Sequence, residues 1–271
     1  MRRTITNDHG EKLAYKFHRA QTKRKPAKNA RPPLLLIGHG VTGNLDRPVI
    51  EALARATAEG GLHAIRFSFS GNGESEGKFG ESNITKGIGD LGAMIDACED
   101  AGYDVSYAGH SMGAAIGILR ASEDRRIKNL ICLAPMIHTR RFVDAEFGEV
   151  TPGKGNMWGE KGCRLTTAFV EDLKSIDTVA PRMSEIECPL LLIHGSQDEV
   201  IPWSEAVAAH DFANPPKKLI QFTGAGHTFE GKASEVLAKA VVAWLKEAIK
   251  ATKAAAKAAK KRPKKTAAAP A

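Results

Sequence analysis

A serine flanked by glycines two residues away on each side, in Gly109-His110-Ser111-Met112-Gly113, is the strongest chemical signal in the chain. That spacing permits a very tight strand-to-helix turn that lifts the hydroxyl above a sheet, because side chains at the ±2 positions would collide there. The pattern alone does not single out one serine, since Gly73-Glu74-Ser75-Glu76-Gly77 matches it too. Context separates the two. Ser111 follows the apolar run Val105-Ser106-Tyr107-Ala108 and opens a helical stretch from Met112 to Leu119, whereas Ser75 has loop-forming residues on both sides. Ser111 is therefore the expected nucleophile.

A serine hydroxyl attacks poorly until a base takes its proton, and that base needs a carboxylate to fix its tautomer. Both groups are available after later apolar runs. Leu190-Leu191-Leu192-Ile193 leads into His194-Gly195-Ser196-Gln197-Asp198, and Leu219-Ile220-Gln221-Phe222 leads into Thr223-Gly224-Ala225-Gly226-His227. Three strand ends thus supply serine, acid and histidine, with Asp198 as the acid and His227 as the general base. Glu199 is the weaker acidic candidate. His39, His110 and His194 also lie at strand ends and are expected to shape loops or pack near the site. A tetrahedral intermediate needs two preorganised N–H donors. Met112, directly after the serine, supplies one, and Val41 in the turn His39-Gly40-Val41-Thr42-Gly43 supplies the other.

The elements that must hold these groups alternate regularly. Short, continuously apolar runs at 34–37, 64–67, 105–108, 130–133, 190–193 and 219–222 read as strands buried on both faces. Helical patterns at 47–59, 84–101, 112–121, 204–212 and from 234 onward lie between and after them. Such alternation predicts an α/β architecture with a mostly parallel central sheet, right-handed crossovers and helices on both faces. An N-terminal hairpin is expected around Asn7-Asp8-His9-Gly10. The alternation breaks between 136 and 187, where Gly/Pro-rich and charged segments surround one clear helix at 166–176. This reads as an inserted cap on a core made of 1–135 and 188–249. Its Phe142, Phe147, Trp158 and Phe169, with Met157, are candidate apolar lining for a substrate.

Of the 271 residues, 42% are hydrophobic, which excludes a disordered chain over most of its length. No apolar run approaches the roughly 18 residues of a membrane span, and no apolar stretch follows Arg2-Arg3 as a signal peptide requires. The expectation is a cytoplasmic protein whose dispersed Cys98, Cys132, Cys163 and Cys188 stay reduced. The net charge of +8 is local. Residues 250–271 hold eight basic residues and no acid, and the remainder balances at 31 of each sign. This tail is expected to continue the last helix past 251 and to become disordered from Lys260. It reads as a solvated appendage, with weak sequence-independent contact to nucleic acid or an anionic surface as its alternative role. A second basic stretch, 19–31, reads as an exposed connection.

These motifs together resemble the α/β-hydrolase superfamily, and more closely its compact bacterial esterases of the feruloyl/cinnamoyl esterase and monoacylglycerol-lipase-like groups. The resemblance spans 34–230 and rests on the His39 turn, Gly71-Asn72-Gly73, the Ser111 turn, the Asp198 loop and the His227 loop. It departs from many relatives in carrying Ser68 and Ser70 where an aspartate or arginine often lies nearby. The resemblance implies a serine hydrolase of small or medium carboxylic esters with a small-molecule substrate. A thioesterase or aminopeptidase-like amidase is the alternative, and a binding scaffold with a basic tail the non-enzymatic one. No phosphate loop, metal-ligand cluster or dinucleotide fingerprint is present, and acyl transfer through serine needs no cofactor.

Overall fold

The computed structural model describes residues 4–22 and 30–261. The chain begins with a small hairpin, β1 (Ile5–Thr6) and β2 (Lys12–Leu13), closed by the predicted turn, in which Asn7 Oδ1 accepts the N–H groups of His9 and Glu11. Then follow β3 (Tyr15–His18), β4 (Pro33–Gly38), α1 (Pro48–Glu59), β5 (His63–Phe67), α2 (Ile84–Asp100), β6 (Asp104–His110), α3 (Met112–Glu123) and β7 (Leu130–Leu133). After α4 (Thr139–Phe147) and α5 (Thr167–Ile176) come β8 (Leu190–Gly195), α6 (Trp203–Phe212), β9 (Lys217–Phe222) and α7 (Lys232–Lys261).

Seven strands form one sheet in the order β3-β5-β4-β6-β7-β8-β9. Only β3 runs antiparallel, against β5; the other pairs are parallel. Successive side chains of a strand point to opposite faces, and the core divides accordingly. Leu34 and Leu36 of β4, with Val105 and Tyr107 of β6, face one cluster that contains α2 and α3. Leu35 and Ile37, with Ala108 and Ile193, face a second cluster beneath α1 and α7. The unbroken apolar runs are thus explained by helices on both faces.

The stretch 136–187 holds one helix more than the sequence pattern shows. α4 is short and rich in Arg140, Arg141, Asp144 and Glu146, and only Phe142, Val143 and Phe147 mark its buried side. Hydrogen bonds to buried and partly buried groups tie this stretch to the body. Glu205 of α6 accepts the N–H groups of Ile137 and His138 at 2.9 and 3.2 Å, and Asp172 of α5 accepts that of Ile84 at the start of α2 at 2.9 Å. At the C-terminal end α7 continues to Lys261, so Lys260 and Lys261, expected to open a disordered segment, are helical instead. Alanine and lysine both favour helix. Residues 262–271, and 23–29 of the basic connection, lie outside the described residues.

All four cysteines are free, and Cys98 and Cys132 are buried. Burial pushes the Cys98 thiol up to about 12, which removes the thiolate that cysteine chemistry needs. No described helix is long and apolar enough to cross a membrane.

One buried carboxylate holds the N-terminal hairpin to the loop after β5. Asp90 of α2, 1% exposed, accepts Asn7 Nδ2 at 2.7 Å and both the N–H and the hydroxyl of Ser70 at 2.7 and 2.8 Å. Asp90→Ala leaves these donors buried without partners, and a loss of roughly 3 kcal/mol is expected, read as a lower urea midpoint with unchanged m-value. Asp90→Asn, which keeps an acceptor oxygen, is expected to lose less. An Asn variant as unstable as the Ala variant would contradict this account.

Candidate active site

Ser111 sits between β6 and α3 with φ 54° and ψ −115°, a backbone conformation that non-glycine residues seldom adopt. The surroundings over-determine it. Ser111 N–H donates to Leu133 O at 2.9 Å, and its own carbonyl accepts the N–H groups of Ala114 and Met136. A Cβ on Gly109 would lie 2.2 Å from Gly113 O, and one on Gly113 would lie 2.5 Å from His39 O. No side chain fits at either ±2 position, as the spacing predicts. The competing serine is engaged elsewhere. Ser75 Oγ donates to Ser68 O at 2.7 Å and accepts Ala14 N–H at 2.9 Å. Its hydroxyl fastens Ala14, just before β3, to the loop after β5.

His227 and Asp198 are brought together from the loops after β9 and β8. His227 Nδ1 lies 2.9 and 3.1 Å from the two carboxylate oxygens of Asp198. Asp198 also accepts the N–H groups of Val200 and Ile201 at 3.0 and 2.7 Å, and His194 Nε2 lies 3.1 Å from its Oδ2. Burial alone would raise this carboxyl, but hydrogen bonds from His194, His227 and the Ile201 amide hold it well below the usual carboxylate range. An ionised carboxylate only accepts, so His227 Nδ1 carries the proton and Nε2 presents its lone pair. Glu199 binds the backbone of the same loop, its Oε2 accepting the His227 N–H at 3.2 Å.

The three other strand-end histidines hold loops. His39 accepts Phe69 N–H at Nε2 (3.0 Å) and so donates from Nδ1 to Gly40 O (2.8 Å), which fixes the turn carrying Val41. His110 Nε2 donates to the His227 carbonyl at 2.9 Å. His194, fully buried, does more than the loop-shaping its sequence position suggests. It donates from Nε2 toward Asp198 and Ile201 O, while its Nδ1 has no partner among the described residues. The spacing His194-x-x-x-Asp198 is visible in the sequence, but nothing there shows that the chain turns back to bring the two together.

A cavity of about 430 Å³ lies over Ser111, lined among others by Val41, Arg47, His110, Trp158, Glu160, Val200, His227 and Glu230. The N–H groups of Val41 and Met112 have no acceptor among the described residues, as donors held ready for an anion would. Of the four aromatic lining candidates only Trp158 reaches this cavity. Phe142, Phe147 and Phe169 are buried, and Phe147 sits edge-to-face with Trp158, Phe142 and Phe169. Aromatic rings prefer this mutual packing, so they support Trp158 from behind. Ser68 and Ser70, at 0 and 1% exposure, hold Leu45 N–H and Asp90 and do not line the cavity. Across the cavity mouth Arg47 and Glu160 approach to 3.7 Å, linking the body to the 136–187 stretch. Among the described residues no group of His, Cys, Asp and Glu is arranged to hold a metal ion.

Burial holds the His39 ring down at about 4, and burial with the neighbouring His227 holds the His110 ring down at about 3. Unfolded, both take up protons near 6.5. Stability is therefore whole above pH 6.5 and lost as pH falls toward these values, by about 1.4 kcal/mol per pH unit for each ring. Urea midpoints are expected to fall between pH 6.5 and 5, and His39→Gln to flatten that decline by about 2 kcal/mol. An unchanged pH slope in His39→Gln would contradict a neutral buried ring.

Residues 30–158 match the family described as serine aminopeptidase, S33, and residues 95–252 match the prolyl oligopeptidase family. The structure is similar to that of Est1E from Butyrivibrio proteoclasticus with ferulic acid bound, with a TM-score of 0.79, 26% identity and coverage of 91% of this chain and 99% of that one. The chain is 23% identical to a 31.7 kDa protein of the traX-finO intergenic region of Escherichia coli, covering 84% of this chain and 95% of the relative. It is 22% identical to the mitochondrial palmitoyl-protein thioesterase ABHD10 of Mus musculus, covering 77% and 73%. The mouse ABHD10 structure shares the fold, with a TM-score of 0.72, 20% identity and coverage of 92% of this chain and 98% of that one.

Proposed function

The chain belongs to the α/β-hydrolase superfamily, within the part described by the prolyl oligopeptidase family that matches more than half of it, and from that premise we propose that it hydrolyses small or medium carboxylic esters at Ser111. The observation that carries this reading is the pairing of a strained serine turn beneath a cavity with a His227 ring whose tautomer is fixed by the Asp198 carboxylate. In the proposed cycle His227 Nε2 takes the Ser111 proton as Oγ attacks the ester carbonyl. The resulting oxyanion is held by the N–H groups of Val41 and Met112. Collapse expels the alcohol, which receives the proton from His227, and leaves an acyl-serine. Water, deprotonated by the same ring, then releases the acid and restores Ser111.

The cavity supports an acyl or aromatic group beside Trp158, and the stretch 136–187 acts as a cap whose buried phenylalanines fix the Trp158 ring. The ferulic acid in the Est1E structure makes aryl-acid esters the first substrates to try. A thioester substrate is the second reading, favoured by the similarity to a palmitoyl-protein thioesterase. Parallel assays on aryl esters, acyl-glycerols, acyl-CoA and amino-acid amides separate the two and also test the amidase alternative.

Ser111→Ala is expected to keep the fold by circular dichroism, to lower ester turnover by several orders of magnitude, and to lose labelling by a fluorophosphonate probe. Labelling that persists in this variant, or that maps to Ser75, would overturn the assignment. Asp198→Asn is expected to lower turnover by about 10⁴-fold, by analogy with loss of the triad acid in serine proteases. Glu199→Gln, which touches only the His227 backbone, is expected to cost much less. If Glu199→Gln proves the more damaging change, the acid is Glu199.

A further inference from the structure

Helix α7 is bound to the body along only part of its length. Leu237, Ala238, Val241, Val242 and Leu245 are buried against the sheet and α1. From Lys250 to Ala255, and again at Lys257 and Ala258, every residue is exposed, and Ala251, Thr252 and Ala255 edge a groove beside Glu187, Pro189 and Pro216. At about 100° per residue, Lys232, Lys239, Lys246, Lys250, Lys253 and Lys257 fall within an arc of roughly 60°, and all six are exposed. The stripe runs about 38 Å at 1.5 Å per residue. Among the described residues none of the six has an ion-pair or hydrogen-bond partner. α7 contains two acids. Glu235 falls at the edge of the same arc, where it approaches Arg55 of α1 at 3.7 Å, and Glu247 lies off the stripe by about 60°.

From Lys239 to Lys257 the arc carries ammonium groups and no carboxylate, a row of like charges that attracts an extended polyanion. We propose that the lysine face of α7 is a docking surface for the phosphate backbone of nucleic acid, read without regard to sequence. The stripe is about as long as one turn of a duplex, 34–36 Å. It consists of lysines, which contact phosphates as point charges and cannot make the bidentate contacts by which base edges are read. A membrane surface fits less well. A helix that lies in an anionic bilayer buries large apolar residues opposite its basic face, whereas from Lys250 to Lys261 the sequence of α7 holds, besides lysines, only alanines and Thr252. Beyond the helix the sequence adds Arg262, Lys264 and Lys265, of the same sign. The surface is independent of the hydrolytic site, since none of its residues lines the cavity over Ser111.

The test uses the full chain, a fluorescein-labelled duplex DNA of about 20 base pairs and anisotropy titrations between about 50 and 200 mM salt, the range over which phosphate contacts lose most of their strength. Wild type is expected to bind, with log affinity falling linearly with log salt. Replacing Lys246, Lys250, Lys253 and Lys257 together by glutamine is expected to make that slope shallower by about 3 to 4, at roughly 0.9 per phosphate contact. Affinity at low salt is expected to fall by at least about 100-fold, with helix content and aryl-ester hydrolysis unchanged. Any of three results would overturn the proposal: no binding by wild type at low salt, an unchanged slope in the four-lysine variant while deletion of 262–271 abolishes binding, or tighter binding to phosphatidylglycerol vesicles than to the duplex.

Discussion

A carboxylate with no exposure to water persists as an anion only if donors surround it, and the Asp198 side chain is wholly buried. Four groups serve it: the His227 ring, the His194 ring and the amides of Val200 and Ile201. Satisfying that one charge decides the course of two loops. The 195–201 turn folds back so that its own amides point inward, and the 224–229 loop must present an imidazole edge. Glu199 and His110 then take the backbone N–H and carbonyl of His227. The ring is held by its side chain and by the backbone groups on either side of it. In the proposed cycle, a base oriented this firmly loses little entropy when it begins to move a proton.

The serine turn is the second constraint, and it depends on the centre of the sheet. Gly38 of β4 pairs with Gly109 of β6, and the turn after β4 comes so close that a Cβ on Gly40 would lie 2.9 Å from Ser111 Cβ. The strain at Ser111, of order 1–3 kcal/mol, is sustained by the two apolar layers that clamp β4, β6 and β7 from either side. The neutral, buried His39 performs the equivalent service for the Val41 turn. Acidification therefore acts on the same groups that hold the site in shape.

The 136–187 stretch follows a different logic. Its aromatic residues cluster among themselves and merge with the core on the α2–α3 face, and only Trp158 is turned toward the cavity, at φ 49°. Arg47 and Glu160 join the stretch to the body through half-exposed side chains, a link that contributes little stability.

The parallel strands, the order of the sheet's helices and the tight turn at Ser111 were legible in the sequence because each depends on local pattern. A strand buried on both faces must be apolar at every position, and a serine turn of this tightness admits only glycine at ±2. Those rules locate β7 to the residue and the ends of the other parallel strands to within two. What the sequence could not show depends on which residues meet after folding. Ser75 and Ser111 carry the same local motif, and their different fates are fixed by whether the hydroxyl finds Ser68 O and Ala14 N or a cavity. Asp198 and Glu199 are adjacent acids, and only the return of the β9 loop assigns one to the ring and the other to the backbone. Phe142, Phe147 and Phe169 are as apolar as Trp158, and their mutual packing alone decides which of the four faces the cavity. Local sequence determines what an element can be. Partners distant in the chain decide what each side chain is free to do, because a hydrogen bond or ring contact already made is unavailable to a substrate.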